Sequence, residues 1–331
     1  MDEVDGEPQM SKADGAVDEA TEAGKAAEAP SGAPAVDELA RKDFEARGDY
    51  GGGYDTLEKW KARYGEGWRY DTQEHYWYKQ EQNARFANDV SQDEVLAALC
   101  SGNEHRQQYY QALESAGYQP QSVMSRVSYA GRSAENVHGD VRALLEEAVL
   151  QDLAKLDKPE SHKQFLAITK DMPASNKGSL AEKWYHRVYA PESAAHVRVD
   201  EALLASISNS LGREVKERVI DLVDTDGTLR EIKHVSGTLS ERELSQFEDY
   251  MGLVGREAPL TLKDGTEVVA KKVVYTFIDP AGARANIKFI KDALAERKQV
   301  SFEVFNSKGE FRHVRSTEEI GDVAQWLGVT L

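Results

Sequence analysis

The chain has 331 residues, with 41 Lys and Arg against 58 Asp and Glu, a formal net charge of −17. No apolar run is long enough to span a bilayer, the acidic first residues carry no signal-peptide pattern, and the length leaves room for two domains and a tail. A single cysteine, Cys100, excludes an intrachain disulfide framework and a cysteine-rich zinc site.

The charge is unevenly spread. Residues 1–150 hold 15 basic and 29 acidic side chains, a balance of −14, whereas residues 151–331 hold 26 and 29, a balance of −3. A uniformly acidic chain would repel a polyanion, but a nearly neutral carboxy-terminal half can still present a basic groove. Lys177, Lys183, Arg187, Lys271 and Lys272 are candidate phosphate contacts there.

Residues 1–53 are rich in Ala, Glu, Gly, Asp and Pro and almost free of aromatic and β-branched side chains. They cannot bury enough apolar surface to offset ordering entropy, so a disordered acidic tail is expected. Residues 54–160 differ. Trp60, Tyr64, Trp68, Tyr70, Tyr76, Trp77 and Tyr78 crowd one stretch, and apolar spacing predicts helices over Gln92–Ser101, Arg106–Ala116 and Asp140–Lys155. The reading is a small helical domain packed around aromatics, serving delivery, regulation or partner binding. Stacking of single-stranded bases on those rings is the alternative.

Over residues 170–331 the pattern becomes mixed. Leu180, Trp184, Tyr185 and Val188 fall on one face of a predicted helix that Pro191 follows. Two apolar, β-favouring runs then flank the turn Asp224-Thr225-Asp226-Gly227, which predicts a hairpin. Ser240 with Glu243 forms a capping box opening a helix through Leu244, Phe247 and Met251. A strand over Lys272–Ile278, a helix over Arg284–Arg297 and a strand over Val300–Phe305 complete an α/β domain, a mixed central sheet flanked by helices.

The hairpin carries charge where a buried strand should be apolar: Asp221 on the first strand, Glu231 and Lys233 on the second. Such charge needs a partner or a metal to offset its desolvation. A two-residue loop would set Asp221 opposite Ile232. A three-residue loop, with Gly227 left-handed before a bulge, sets Asp221 opposite Glu231 and gathers two carboxylates and one ammonium on one face. The second register is the one expected. Two opposed carboxylates repel unless a divalent cation takes them as oxygen ligands, and a neighbouring lysine can orient the attacking water or stabilise developing charge. The plain reading is a solvated edge hairpin, but apolar residues on both faces of both strands argue for a covered one.

Asp221 and Glu231-x-Lys233, in this order of helices and strands, resemble the PD-(D/E)xK, or restriction-endonuclease-like, nuclease superfamily. Glu182, on the helix before the sheet, stands where many members carry an acidic residue that reaches the metal. Gln246-Phe-Glu-Asp-Tyr250 reproduces the Q-x-x-x-Y helix of the RecB-like branch; Gln and Tyr four apart share a helix face. The resemblance covers about residues 170–305 and departs from the pattern at Ile220, where a proline precedes the aspartate in many members. It implies Mg²⁺ or Mn²⁺ held by Asp221, Glu231 and the carbonyl of Ile232. It further implies Lys233 and Glu182 as catalytic residues, and Gln246 and Tyr250 on the substrate backbone.

The expected function is therefore metal-dependent phosphodiester hydrolysis, with DNA as partner. The layout of tail, helical region and carboxy-terminal nuclease also looks like that of a bacterial toxin or effector. Such a protein would reach a target cytoplasm without a signal peptide, through secretion machinery, and an immunity protein would neutralise it. A repair, recombination or phage-defence nuclease working in its own cytoplasm shares the same core. The competing class is a non-catalytic interaction protein that keeps the fold.

Overall fold

The computed structural model describes residues 85–101 and 103–329, together with the backbone of residues 68–71 and 76–79. The acidic tail and most of the aromatic stretch lie outside the described residues. Within that stretch an antiparallel hairpin, β1 (Trp68–Asp71) and β2 (Tyr76–Lys79), occurs where a purely helical domain was expected. The bulky rings that suggested helix packing suit strands equally well.

The described chain packs as two units. The first contains the hairpin, α1 (Gln92–Cys100) up to Leu99, and the Ser128–Gly139 segment. The second runs over Cys100–Val127 and Asp140–Leu331. This division differs from the expected boundary near residue 160. Helices α2 (Glu104–Ser115) and α3 (Gln121–Met124), and α4 (Ala134–Ala154) from Asp140 onward, pack with the sheet-bearing half. Charge pairing accounts for part of this: Glu146 of α4 takes Lys183 at 2.5 Å, and Glu147 takes Arg187 through both guanidinium nitrogens.

Two further helices precede the sheet, α5 (Lys158–Thr169) and α6 (Ala174–Tyr189). The sheet then has six strands in the order β10-β9-β8-β5-β4-β3. Strands β3 (Ala194–Arg198), β4 (Val219–Val223) and β5 (Thr228–Lys233) form an antiparallel meander. Strands β8 (Lys272–Phe277) and β9 (Val300–Phe305) continue from β5 in parallel, and β10 (Phe311–Val314) closes the far edge antiparallel. A small separate ribbon, β6 (Leu260–Thr261) with β7 (Glu267–Val268), lies between β5 and β8 in sequence.

Helices cover both faces. Phe247, Tyr250 and Leu253 of α8 (Glu241–Leu253) join one core with Leu229, Val273, Tyr275, Phe277, Phe302 and Val304. So do α7 (Glu201–Leu211), α9 (Pro280–Ala285), α10 (Ile287–Glu296) and α11 (Ile320–Leu327). The helix expected over Arg284–Arg297 is thus two, broken at Asn286, whose amide bonds back to Gly237 and Gly282 and accepts from Leu239 N–H. On the other face, Phe165 stacks on Trp184, and His162 stacks on Phe305.

The same face holds a buried polar knot that anchors α6. Glu303, 1% exposed, accepts from Arg230 Nη1 at 2.8 Å, Thr276 Oγ1 at 2.7 Å and the Tyr185 hydroxyl. Arg230 also binds Asp224 at 2.9 Å. Among the described residues no helix is long and apolar enough to cross a membrane.

Candidate active site

The β4–β5 hairpin has the three-residue loop Thr225-Asp226-Gly227. Asp224 N–H donates to Thr228 O at 2.9 Å, and Gly227 N–H donates to Asp224 O at 3.0 Å. Gly227 is left-handed, φ +89, and a Cβ there would lie 2.3 Å from Val269 O, so glycine is needed twice over. The ladder pairs Val223 with Leu229 and Leu222 with Arg230. One step further, this register sets Asp221 against Glu231, as the loop length predicts.

At that step the ladder opens. The N–H of Ile232 donates not to the facing strand's main chain but to Asp221 Oδ2, at 2.8 Å. The carboxylate sits in the gap between two parting strands, with Glu231 and Lys233 on the face that also carries Tyr275 and Phe277 of β8.

Glu231 is 3% exposed. Its Oε1 accepts from Lys233 Nζ at 2.6 Å, whereas its Oε2 is buried without a hydrogen-bond partner. Lys233 also donates to Gln246 Oε1 at 2.9 Å, Gln246 Nε2 donates to the Tyr250 hydroxyl at 2.8 Å, and Tyr250 donates to Val219 O at 3.0 Å. Helix α8 makes this possible because Gln246 and Tyr250 lie one turn apart, and Ser240 and Glu243 fix its start with a reciprocal capping box. The ammonium also stands 5.8 Å over the Tyr275 ring.

Glu182 reaches the same region from α6 with 24% of its side chain exposed. Burial, and then the charge of Glu231, pushes its carboxyl up to about 7. Asp221 is held well above its ordinary value by burial first and by Glu231 and Glu182 next, against the opposing pull of Ile232 N–H and Lys233. Glu231 thus burdens both Asp221 and Glu182, and Lys233, with Lys183 near Glu182, opposes this. An additional positive charge is what this arrangement lacks electrostatically.

Asp221, Glu231, Lys233, Gln246 and Tyr250 are therefore brought into one hydrogen-bonded and electrostatic cluster, with Glu182 coupled through charge. Ile232 is present through its N–H. Among the described residues no three His, Cys, Asp or Glu side chains converge on one point as a ready-made metal cage. The donor set is instead two carboxylates beside main chain, one of them with an orphaned buried oxygen. That oxygen fits a small hard cation that brings its own water.

One neighbour escaped the sequence reading. His196, in the middle of β3, places Nδ1 4.0 Å from Glu182 Oε2. Burial, with Lys263 and Lys183 nearby, lowers the imidazole below its ordinary value. A five-residue strand between Pro191 and a helix offers almost no periodicity to detect, so no signal for it was available. His234 turns away as expected, meeting Thr169 Oγ1 at 3.3 Å and the Phe165 ring. Of the candidate phosphate contacts, Lys183, Arg187 and Lys272 are ion-paired, with Glu146, Glu147 and Asp226, and Lys177 donates to Lys170 O at 2.7 Å. Comparison with known proteins adds no relative: no family model, no curated protein and no solved structure matches the chain.

Proposed function

We propose that this chain is a metal-dependent nuclease of the PD-(D/E)xK type acting on DNA. The observation that carries the reading is Glu231 Oε2, a buried carboxylate oxygen without a partner, one register step beyond the Leu222–Arg230 pair and two residues from a fixed lysine. Burying an ionised carboxylate with one lone-pair set unused is expensive unless a cation completes it.

Asp221, Glu231 and the Ile232 carbonyl are the groups that would hold Mg²⁺ or Mn²⁺. When bound, the ion supplies Lewis-acid polarisation of a phosphoryl oxygen and makes a coordinated water more acidic. Hydrolysis adds a water oxygen to phosphorus and breaks a P–O bond of the backbone; the attacking water loses a proton and the leaving oxygen gains one. Lys233, held from two sides by Glu231 and Gln246, has a third N–H to orient the water or to meet charge building on the phosphoryl oxygens. Glu182, with a carboxyl near 7, can accept or return a proton at neutral pH. Gln246 and Tyr250 keep the lysine aimed.

Supercoiled plasmid incubated with Mg²⁺ or Mn²⁺ tests the proposal. Cleavage is expected with either cation, is abolished by EDTA, and is lost in Glu231→Ala and Lys233→Ala. Intact plasmid under all conditions would instead favour an interaction protein that keeps the fold.

A further inference from the structure

The β6–β7 ribbon is small, yet its turn is closely specified. Leu262 N–H donates to Thr266 O at 2.8 Å, Gly265 N–H donates to Leu262 O at 3.0 Å, and Gly265 is left-handed at φ +85. These bonds close a three-residue loop, Lys263-Asp264-Gly265, of the same build as Thr225-Asp226-Gly227. The ribbon packs on β3, and Leu260, Leu262 and Val268 sink into the core that also holds Val197 and Val199. Its tip is therefore seated beside β3. Lys263 stands at that tip, exposed. Among the described residues it makes no ion pair, unlike Lys183, which is paired with Glu146. The adjacent Asp264 carboxylate is turned back into the loop, where it accepts from Thr266 N–H at 2.9 Å.

The charge of Lys263 falls on His196 of β3. After burial it is the largest influence lowering that imidazole, ahead of Lys183 and His186. His196 is half exposed and left-handed, φ +53, a conformation that a strand residue keeps only where its surroundings dictate it. Its Nδ1 lies 4.0 Å from Glu182 Oε2, and Glu182 in turn feels the charges of Glu231 and Lys233. Lys263, His196 and Glu182 thus lead stepwise from the ribbon tip to the candidate centre. An anion laid along this line meets an unpaired ammonium and an exposed imidazole. The acid on the line, Glu182, has a carboxyl near 7, so at neutral pH it carries a proton much of the time and repels an anion less than an ordinary carboxylate would.

We infer that the β6–β7 ribbon clamps the substrate backbone: Lys263, assisted by the His196 imidazole, binds a DNA phosphate next to the one that is cut. This rests on the metal-nuclease reading above. A lysine at this place acts as a point charge that holds phosphate without reading bases. The clamp therefore adds affinity and register to the site, and no sequence preference.

Fluorescence anisotropy of a short fluorescein-labelled DNA duplex, titrated with the full chain in Ca²⁺ at several salt concentrations, reads the contact. Ca²⁺ takes the same oxygen donors as Mg²⁺ in looser geometry. The slope of log affinity against log salt is expected to shrink by about 0.9 in Lys263→Ala, the share of one duplex phosphate, and to keep its parent value in Lys263→Arg. Lys298, an exposed lysine just before β9, lies four places along the sheet from β3, and Lys298→Ala should leave the slope unchanged. In Mg²⁺-dependent cleavage, Lys263→Ala should raise KM several-fold with kcat little changed, the signature of lost uniform binding. A Lys263→Ala slope equal to the parent's, or an equal drop in Lys298→Ala, overturns the clamp alone. A parent chain that neither binds nor cleaves the duplex overturns the metal-nuclease reading as well.

Discussion

Asp221 Oδ2 accepts the N–H of Ile232 at 2.8 Å, a bond that a continued hairpin ladder would have closed between main chains. The carboxylate holds the two strands apart while remaining attached to both. Asp221→Asn keeps an oxygen for that N–H and removes a charge that burial disfavours. In EDTA at pH 8 the variant is expected to gain about 1–2 kcal/mol, as buried charges often give back when neutralised. Its cation-dependent cleavage should fall by about 10²-fold or more, the scale of losing one electrostatic group from a preorganised site. Urea unfolding and plasmid assays check the two halves; a destabilised variant that still cleaves contradicts both.

Glu182 has a carboxyl near 7 in the folded chain, against an ordinary value of 4.5. Between those values the folded chain holds a proton that the unfolded chain has released. The stability tied to it is complete below about 4.5 and is lost as pH rises through 7. Asp221 shifts in the same direction. Urea midpoints measured in EDTA should therefore decline from pH 5 to pH 8, less steeply in Glu182→Gln. Added Mn²⁺ should raise the midpoint more at pH 8 than at pH 6, because the cation competes with protons for the carboxylates. A profile that rises over this range in EDTA would show the carboxyls to be otherwise compensated.

Tyr250→Phe removes the hydroxyl that joins Gln246 to Val219 O. One buried carbonyl and one amide lose a partner, with an expected destabilisation of about 1–3 kcal/mol. With the amide free to rotate, Lys233 loses a fixed acceptor, and kcat should drop about tenfold with KM little changed. Equal losses in binding and turnover would instead place Tyr250 on the substrate.

Arg230 neutralises Glu303 from the opposite face of the sheet, where Tyr185 ties α6 to the same carboxylate. Arg230→Met strands a carboxylate that is 1% exposed, at an expected loss of about 3–5 kcal/mol by thermal or urea unfolding. Arg230→Met combined with Glu303→Leu should recover part of it, since an apolar pair of similar volume replaces the buried ion pair and only the partly exposed Asp224 loses its guanidinium.

The fold class and the local geometry of the hairpin and α8 were legible in the sequence, whereas contacts between distant elements were not. The loop Asp224–Gly227 specifies its register through local backbone chemistry, and Ser240 with Glu243 announces α8 by a reciprocal bond between near neighbours. Those features are written within a few residues. The placement of His196 beside Glu182 is not, because β3 is short and the two residues sit on separate elements. Nor was the seating of α4 legible: Glu146 and Glu147 look like solvated helix residues until Lys183 and Arg187 stand across from them. Lys183, Arg187 and Lys272, read as phosphate contacts, are engaged with acidic side chains of the same chain for the same reason.

The relay from Val219 through Tyr250 and Gln246 to Lys233 orders events during synthesis. A tyrosine hydroxyl has one proton to give, and here a strand carbonyl receives it, so the amide can only offer its nitrogen to Tyr250 and its oxygen to Lys233. Asp221, Glu231 and Lys233 emerge from the ribosome before Gln246 and Tyr250, and Tyr275 of the adjoining strand emerges later still. A chain interrupted after β5 carries every acidic group of the cluster yet holds its lysine from the Glu231 side alone. On the proposed function, a product truncated there would lack the groups on α8 that fix Lys233 and would be inert rather than partly active.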